Sequence, residues 1–429
     1  MTLYRAAVLD VPGDPFVAGA AALRAESDGA IVVRDGTIVA RGAYTDLAVE
    51  HREEETVDLR GGLLLPGLVD THVHYPQVRA IAGLGLPLLD WLERRALPEE
   101  ALLTDDAYAE VVAEEFLSGL AQAGTTTALV FGAHFASAMD IFFTAAERSG
   151  LRITAGQVLS DRLLRPDLLI SPDVALVEGR KLVERWHGEG RLRYAVTPRF
   201  SLSTTPAMLE IGAELLTLSD GIWFTSHLNE NITEVTRVLE LFDPAEHYLD
   251  SYARHGLVTR RSVFAHNLHA RDEELELLAS SGAWVAHCPT SNAALGSGLF
   301  PFRRHVEHGA RVALGSDVGG GTGFSLFKEA LQAYFGQRLL GPDGLPLTAT
   351  HLLHLATRAG AQALGLDAQV GDLSAGKQFD ALWLHPAEHS TLDVVLRHAT
   401  DADDALAKVF ALAGPADVAR VWVGGDQVR

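Results

Sequence analysis

The sequence predicts an α/β fold: a TIM-type (β/α)8 barrel carrying a small β-sandwich domain built from both chain termini. Three observations predict it. Eight apolar, β-branched runs each end in a polar residue and are followed by an amphipathic helical segment. From Asp70 in the first run to Asp317 in the last, the runs recur every ~35 residues, the size of one βα unit. The two chain ends read instead as short strands with hairpin turns, each too small to bury a core alone.

Residues 1–66 form the first part of the small β domain. There Ile31-Val32-Val33 and Thr37-Ile38-Val39-Ala40 flank Asp35-Gly36, a hairpin signal. Residues 67–371 are assigned to the barrel. Its runs are Leu63 to Val73, Thr125 to Gly132, Arg152 to Asp161, Tyr194 to Phe200, Ile222 to Leu228, Ser262 to His269, Ala283 to Pro289 and Arg311 to Val318. Between them, Ser171-Pro172 and Thr205-Pro206 place a capping hydroxyl before a proline, a helix start. Gly150 reads as the stop of a helix over Ser137 to Ser149. Residues 372–429 return to short strands, Ala381 to Leu384 and Val421 to Val423, with Gly424-Gly425 as a turn. An open doubly wound sheet would carry a glycine fingerprint after an early strand. The glycines at Gly319 to Gly323 follow the last run and do not match it.

Composition narrows the function. Of the 429 residues, 48% are hydrophobic and 21% charged, which excludes disorder as a description of the whole chain. The net charge of −21 repels phosphate backbones and anionic lipid, so neither nucleic acid nor membrane is expected as partner. The most apolar long stretch, Thr125 to Ala146, reads as a strand and a helix, not a span. No signal peptide is visible, and the single cysteine, Cys288, permits no intrachain disulfide; both point to the cytoplasm. One cysteine also excludes the deaminase zinc site that needs a P-C-x-x-C. Any metal must be held by carboxylates and the 18 histidines.

A barrel of this type works at the C-terminal ends of its strands. The polar residues there are His72, His74, His134, Asp161, Arg199, His227, His266 and Asp317. In His72-Val73-His74 the two imidazoles share a face, because a strand repeats every two residues. With His227 as third ligand and Asp317 as fourth, the set suits a zinc-like or ferrous ion that keeps a water. Glu230, three residues after His227, can reach that water and move protons; its bland alternative is a carboxylate favoured at a helix start. His266 can polarise the water, or be a core histidine. Arg199 and Phe200 offer forked donors and a stacking face, or a salt bridge and packing. Gln77 lies close to the His pair and its amide can both donate and accept. The long apolar segment Tyr75 to Glu100 reads as a lid or pocket wall. His134, Asp161 and His269 have no role that the chemistry demands, and Cys288 reads as structural.

These residues resemble the amidohydrolase superfamily, and within it the guanine deaminases. The general signals are P-G-L-V-D-T-H-V-H at Pro66 to His74, His227, Ala265-His266 and Gly315-Ser316-Asp317. The sharper ones are H-V-H-Y-P-Q through Gln77, L-L-D-W-L through Trp91, G-T-T-T-A at Gly124 to Ala128 and T-P-R-F at Thr197 to Phe200. H-L-N-E-N at His227 to Asn231, C-P-T-S-N at Cys288 to Asn292 and G-S-G-L-F at Gly296 to Phe300 complete them. The resemblance implies one zinc ion on His72, His74, His227 and Asp317. It implies catalysis by Glu230, His266 and Asp317, and a purine held by Gln77, Trp91, Arg199 and Phe200. The implied reaction is hydrolysis of guanine to xanthine and ammonia, by a homodimer. Arg199 stands where two-metal relatives carry a bridging lysine, which favours one metal. Asn229, Asn267 and Ser316 depart from the commoner pattern. The alternatives are deamination of another purine, a pterin or a triazine, and, in a different class, a barrel that scaffolds partners without catalysis.

Overall fold

Strands buried on both faces have no need of alternation, and the runs Thr125–Phe131 and Trp223–Leu228 are buried at every position. In the computed structural model, which describes residues 1–81 and 84–429, they are the second and fifth strands of a parallel barrel. The other six are Leu68–His74, Arg152–Gly156, Leu192–Pro198, Ser262–His266, Trp284–His287 and Arg311–Leu314, paired in chain order. A break after Gly156 leaves Val158–Leu159 to continue the third strand against the fourth. The first run also divides: Glu55–Pro66 joins the small sheet, and Leu68–His74 the barrel.

The seam between the first and eighth strands is closed by specific bonds. Thr71 Oγ1 donates to the Leu314 carbonyl at 2.8 Å, and the Asp317 amide donates to the His72 carbonyl at 2.8 Å. The Ser316 amide and hydroxyl both donate to Asp70, whose burial pushes its carboxyl up to about 7. The seam therefore fixes His72 and Asp317 relative to one another.

Helices start and stop where the sequence marks them. Ser171 and Thr205 accept the amides of Val174 and Met208, and Gly150 ends the helix Ala136–Ser149 at φ 72°. Asp161 accepts the Thr205 amide and hydroxyl, a structural tie.

Both termini build one seven-stranded sheet. Glu55–Pro66 lies between the N-terminal strand Thr2–Asp10 and the C-terminal strand Ala381–Leu384. Tyr4 stacks on Phe379 at 4.7 Å and meets Trp422 edge-on, so the two ends share a core. Asp35 and Gly36, both at positive φ, make the two-residue turn expected of them. A Cβ at Gly36 would stand 2.1 Å from the Gly424 carbonyl, so the two predicted turns pack on each other. Buried Arg152, at the start of the third barrel strand, pairs with Asp380 and ties this sheet to the barrel. Among the described residues no helix is long and apolar enough to cross a membrane.

The segment after the first strand is helical in pieces. A turn at Tyr75–Ala80 precedes Leu88–Trp91, a wider turn Leu92–Ala96 and Leu97–Ala101. Leu88, Trp91 and Leu92 are buried over the barrel mouth. Residues 82 and 83 of the expected lid lie outside the described residues.

Candidate active site

The strand ends bring three histidine nitrogens together, with a carboxylate beside two of them. His74 Nε2 stands 3.3 Å from His72 Nε2 and 3.3 Å from His227 Nε2. Asp317 Oδ1 is 3.4 Å from His72 Nε2 and 3.2 Å from His74 Nε2. His72, His74 and His227 thus offer three nitrogens within reach of one cation, with the Asp317 carboxylate beside the His72–His74 pair, and imidazole and carboxylate suit an ion such as zinc. Burial lowers the His72 and His227 imidazoles, with neighbouring histidines adding to the effect, and so keeps their lone pairs free. His227 Nδ1 donates to the Arg199 carbonyl at 2.5 Å, which aims its Nε2 at the cluster. Burial pushes Asp317 up, but the His72 and His74 imidazoles beside it outweigh this and hold the carboxyl well below its ordinary value. The Cys288 thiol lies behind His72 but is pushed well up by burial, so it stays protonated and is no thiolate donor.

Glu230 sits beside the cluster, just before the helix Ile232–Leu241 and outside it. The helix is capped instead by Asn231 and Glu234, so Glu230 is free of the bland capping role. Its Oε2 is 3.5 Å from His266 Nε2, and its Oε1 is buried without a partner. Burial raises its carboxyl well above the ordinary range, and Glu234 and Asp317 add to this. His266 Nδ1 donates to Asn292 Oδ1 at 2.9 Å, leaving the Nε2 lone pair toward Glu230 and, at 3.9 Å, Asp317. Burial lowers this imidazole to about 4, so it is neutral at pH 7.

Asn229, His266, Asn267 and Asp317 all adopt positive φ, between 48° and 72°. Side chains rarely tolerate this, and here it turns the ends of strands five, six and eight inward. Asn229 Nδ2 donates to Asn267 Oδ1 and to Glu274, both at 3.0 Å, which pins two of these bends together.

One cavity of about 330 Å³ is lined by His74, Gln77, Trp91, Arg199, Phe200, His227, Glu230, His266 and Asp317, with Leu88, Leu92 and Leu295. Every sequence-predicted site residue except fully buried His72 lines it, and His72 forms its floor with the other donors. His269, bonded to the Ser297 carbonyl, stays outside the lining. Sequence reasoning missed Glu100 and Asn292. Glu100 accepts from His134 and from the cavity-lining Gln77 and Arg199. Glu100 stands among other charged residues of its segment and carried no signal of its own; Asn292 carried only its place in C-P-T-S-N.

Fold and site together define a hydrolase barrel with a His-rich cluster that could hold a metal ion, and similarity agrees. Residues 63–428 match the Amidohydrolase family, and the chain belongs to it. Within the family it is similar to guanine deaminases. A probable guanine deaminase of Deinococcus radiodurans is 59% identical, over 100% of this chain and 98% of the relative. The structure of the Escherichia coli guanine deaminase superposes with a TM-score of 0.95 at 33% identity, over 100% of this chain and 99% of that one. The crystal structure of guanine deaminase from Bradyrhizobium japonicum gives 0.95 at 29%, with the same coverage.

Proposed function

We propose that this chain hydrolyses guanine to xanthine and ammonia, using one zinc ion per chain on His72, His74, His227 and Asp317. The observation that carries the reading is the shared cavity. It sets His74, His227 and Asp317 in one cavity with buried Glu230, whose Oε1 has no partner, and with the polar pair Gln77 and Arg199. The names of its relatives support the same substrate. A barrel that only scaffolds partners would have no use for such a cluster.

Zinc, when bound, supplies the Lewis acidity that makes water nucleophilic near neutral pH. The chain's residues do the rest. Glu230 takes a proton from the attacking water and delivers it to ring nitrogen 3, while the water oxygen adds to carbon 2. Neutral His266, held by Asn292, and Asp317 orient the nucleophile. Glu230 then carries the second hydroxyl proton to the amino group, and ammonia leaves as the carbonyl forms. A carboxyl with a raised pKa suits this traffic in both directions. Phe200 and Trp91 supply flat walls for a purine, and Arg199 donates to its carbonyl oxygen.

The test is xanthine formation from guanine, with and without a chelator, beside adenine, cytosine, a pterin and a triazine. Comparable ammonia release from adenine or cytosine would overturn the substrate. The proposal extends to a cytoplasmic homodimer. The free Cys288 thiol suits a reducing compartment, and sedimentation tests the dimer.

A further inference from the structure

We propose that Glu100 is a positioning residue that decides which hydrogen-bonding group Gln77 turns to the substrate, and so sets the polarity of the recognition edge. The inference rests on the guanine reading above and deepens it.

Glu100 is buried to 2% exposure, in the helix Leu97–Ala101 of the long segment over the barrel mouth. It receives Gln77 Nε2 at 2.7 Å, His134 Nε2 at 3.0 Å, and Arg199 Nη1 at 2.9 and 2.7 Å on its two oxygens. Burial alone would raise its carboxyl; the Arg199 charge and the His134 bond outweigh this and keep it ionised. An ionised carboxylate only accepts. Gln77 can therefore meet Glu100 only with its NH2, and its Oε1 must face the other way.

That oxygen is buried without a partner at the cavity wall. It packs against Gly319, at φ 116°, where a Cβ would stand 2.0 Å from Gln77 Oε1. The amide is thus held from both sides, by a carboxylate and by a residue without a side chain. Arg199, with Nη1 taken up by Glu100, has Nε and Nη2 left to donate. The edge so formed presents an acceptor from Gln77 and donors from Arg199. Its complement is a ring N–H beside a carbonyl, the lactam edge of guanine. A 2-aminopurine with a bare ring nitrogen and no carbonyl presents an acceptor to an acceptor and leaves the arginine unmet. Unmet buried polar groups are the strongest source of discrimination a pocket has.

The experiment compares kcat/KM for guanine with that for 2-aminopurine. In Glu100→Gln the new amide can donate to Gln77 Oε1, so Gln77 can turn its NH2 to the substrate. The guanine preference should fall at least tenfold, mainly through KM, with metal content kept. A fold merely loosened would lower both substrates together and leave the ratio unmoved. The exchange variant Glu100→Gln/Gln77→Glu restores an acceptor-only group at position 77 and should return the ratio to within about threefold of native. If Glu100→Gln does not fold, the exchange variant decides alone: a native ratio supports the inference, and a collapsed one overturns it. A folded, metal-loaded Glu100→Gln with the native ratio also overturns it. If the native chain forms no xanthine at all, the functional reading falls and the inference with it. Xanthine formation with an unmoved ratio removes only the role of Glu100.

Discussion

Replacing Glu230 by Gln tests the centre of the mechanism with the least disturbance. The side chains have nearly the same shape, and Glu230 is buried with one oxygen unpartnered, so the amide meets no new clash. Burial already penalises the charged carboxyl, so losing the charge costs the fold little. The four donor atoms are on other residues, and metal content should stay native. What disappears is proton exchange: an amide neither takes the water proton nor returns it. One positioned acid–base group contributes ~10²–10⁴-fold, or roughly 3–5 kcal/mol of barrier at 1.36 kcal/mol per decade. Glu230 serves two transfers, so the upper part of that range is expected. The assay is single-turnover xanthine formation from guanine, with zinc per chain measured on the same sample. A kcat within about threefold of native, with metal bound, would refute the role of Glu230.

Three further outcomes are expected. Chelation should abolish turnover and lower the melting temperature, and zinc should restore both; at a thousandfold excess over Kd the ion adds ~4 kcal/mol of stability, read by denaturant melts. Burial pushes Glu329 up to about 8 and Glu234 up to about 7. The folded chain thus holds protons that the unfolded chain has released above its ordinary carboxylate range. Their contribution is fully present below that range and is lost as pH rises toward 7 and 8, so urea melts should show stability falling over this window. Glu329→Gln should flatten the fall by up to ~1.4 kcal/mol per pH unit. Gly319→Ala brings a Cβ to 2.0 Å from Gln77 Oε1 at a φ of 116°. It should raise KM for guanine at least tenfold and cost ~1–3 kcal/mol in denaturant melts; an unchanged KM would show that the amide is not held there.

The sequence alone determined the barrel, because a strand buried on both faces must be apolar throughout and must end in whatever polar group the site needs. Period two alone puts His72 and His74 on one side of their strand. His227, Glu230, His266 and Asp317 were legible for the same reason: they close or just follow recognisable strands. The residues that hold them in place were not legible. Glu100 lies in a segment with no strand register to aim it, and only the folding back of Leu97–Ala101 brings it to Gln77, His134 and Arg199. His134 had no evident role in sequence because its partner comes from that segment. Asn292 and the Asn229–Asn267 tie depend on bends at positive φ, which no local pattern announces. Periodicity fixes which way a side chain points from its own element. Which distant side chain it meets depends on how the loops close over the barrel mouth, and that only the tertiary structure decided.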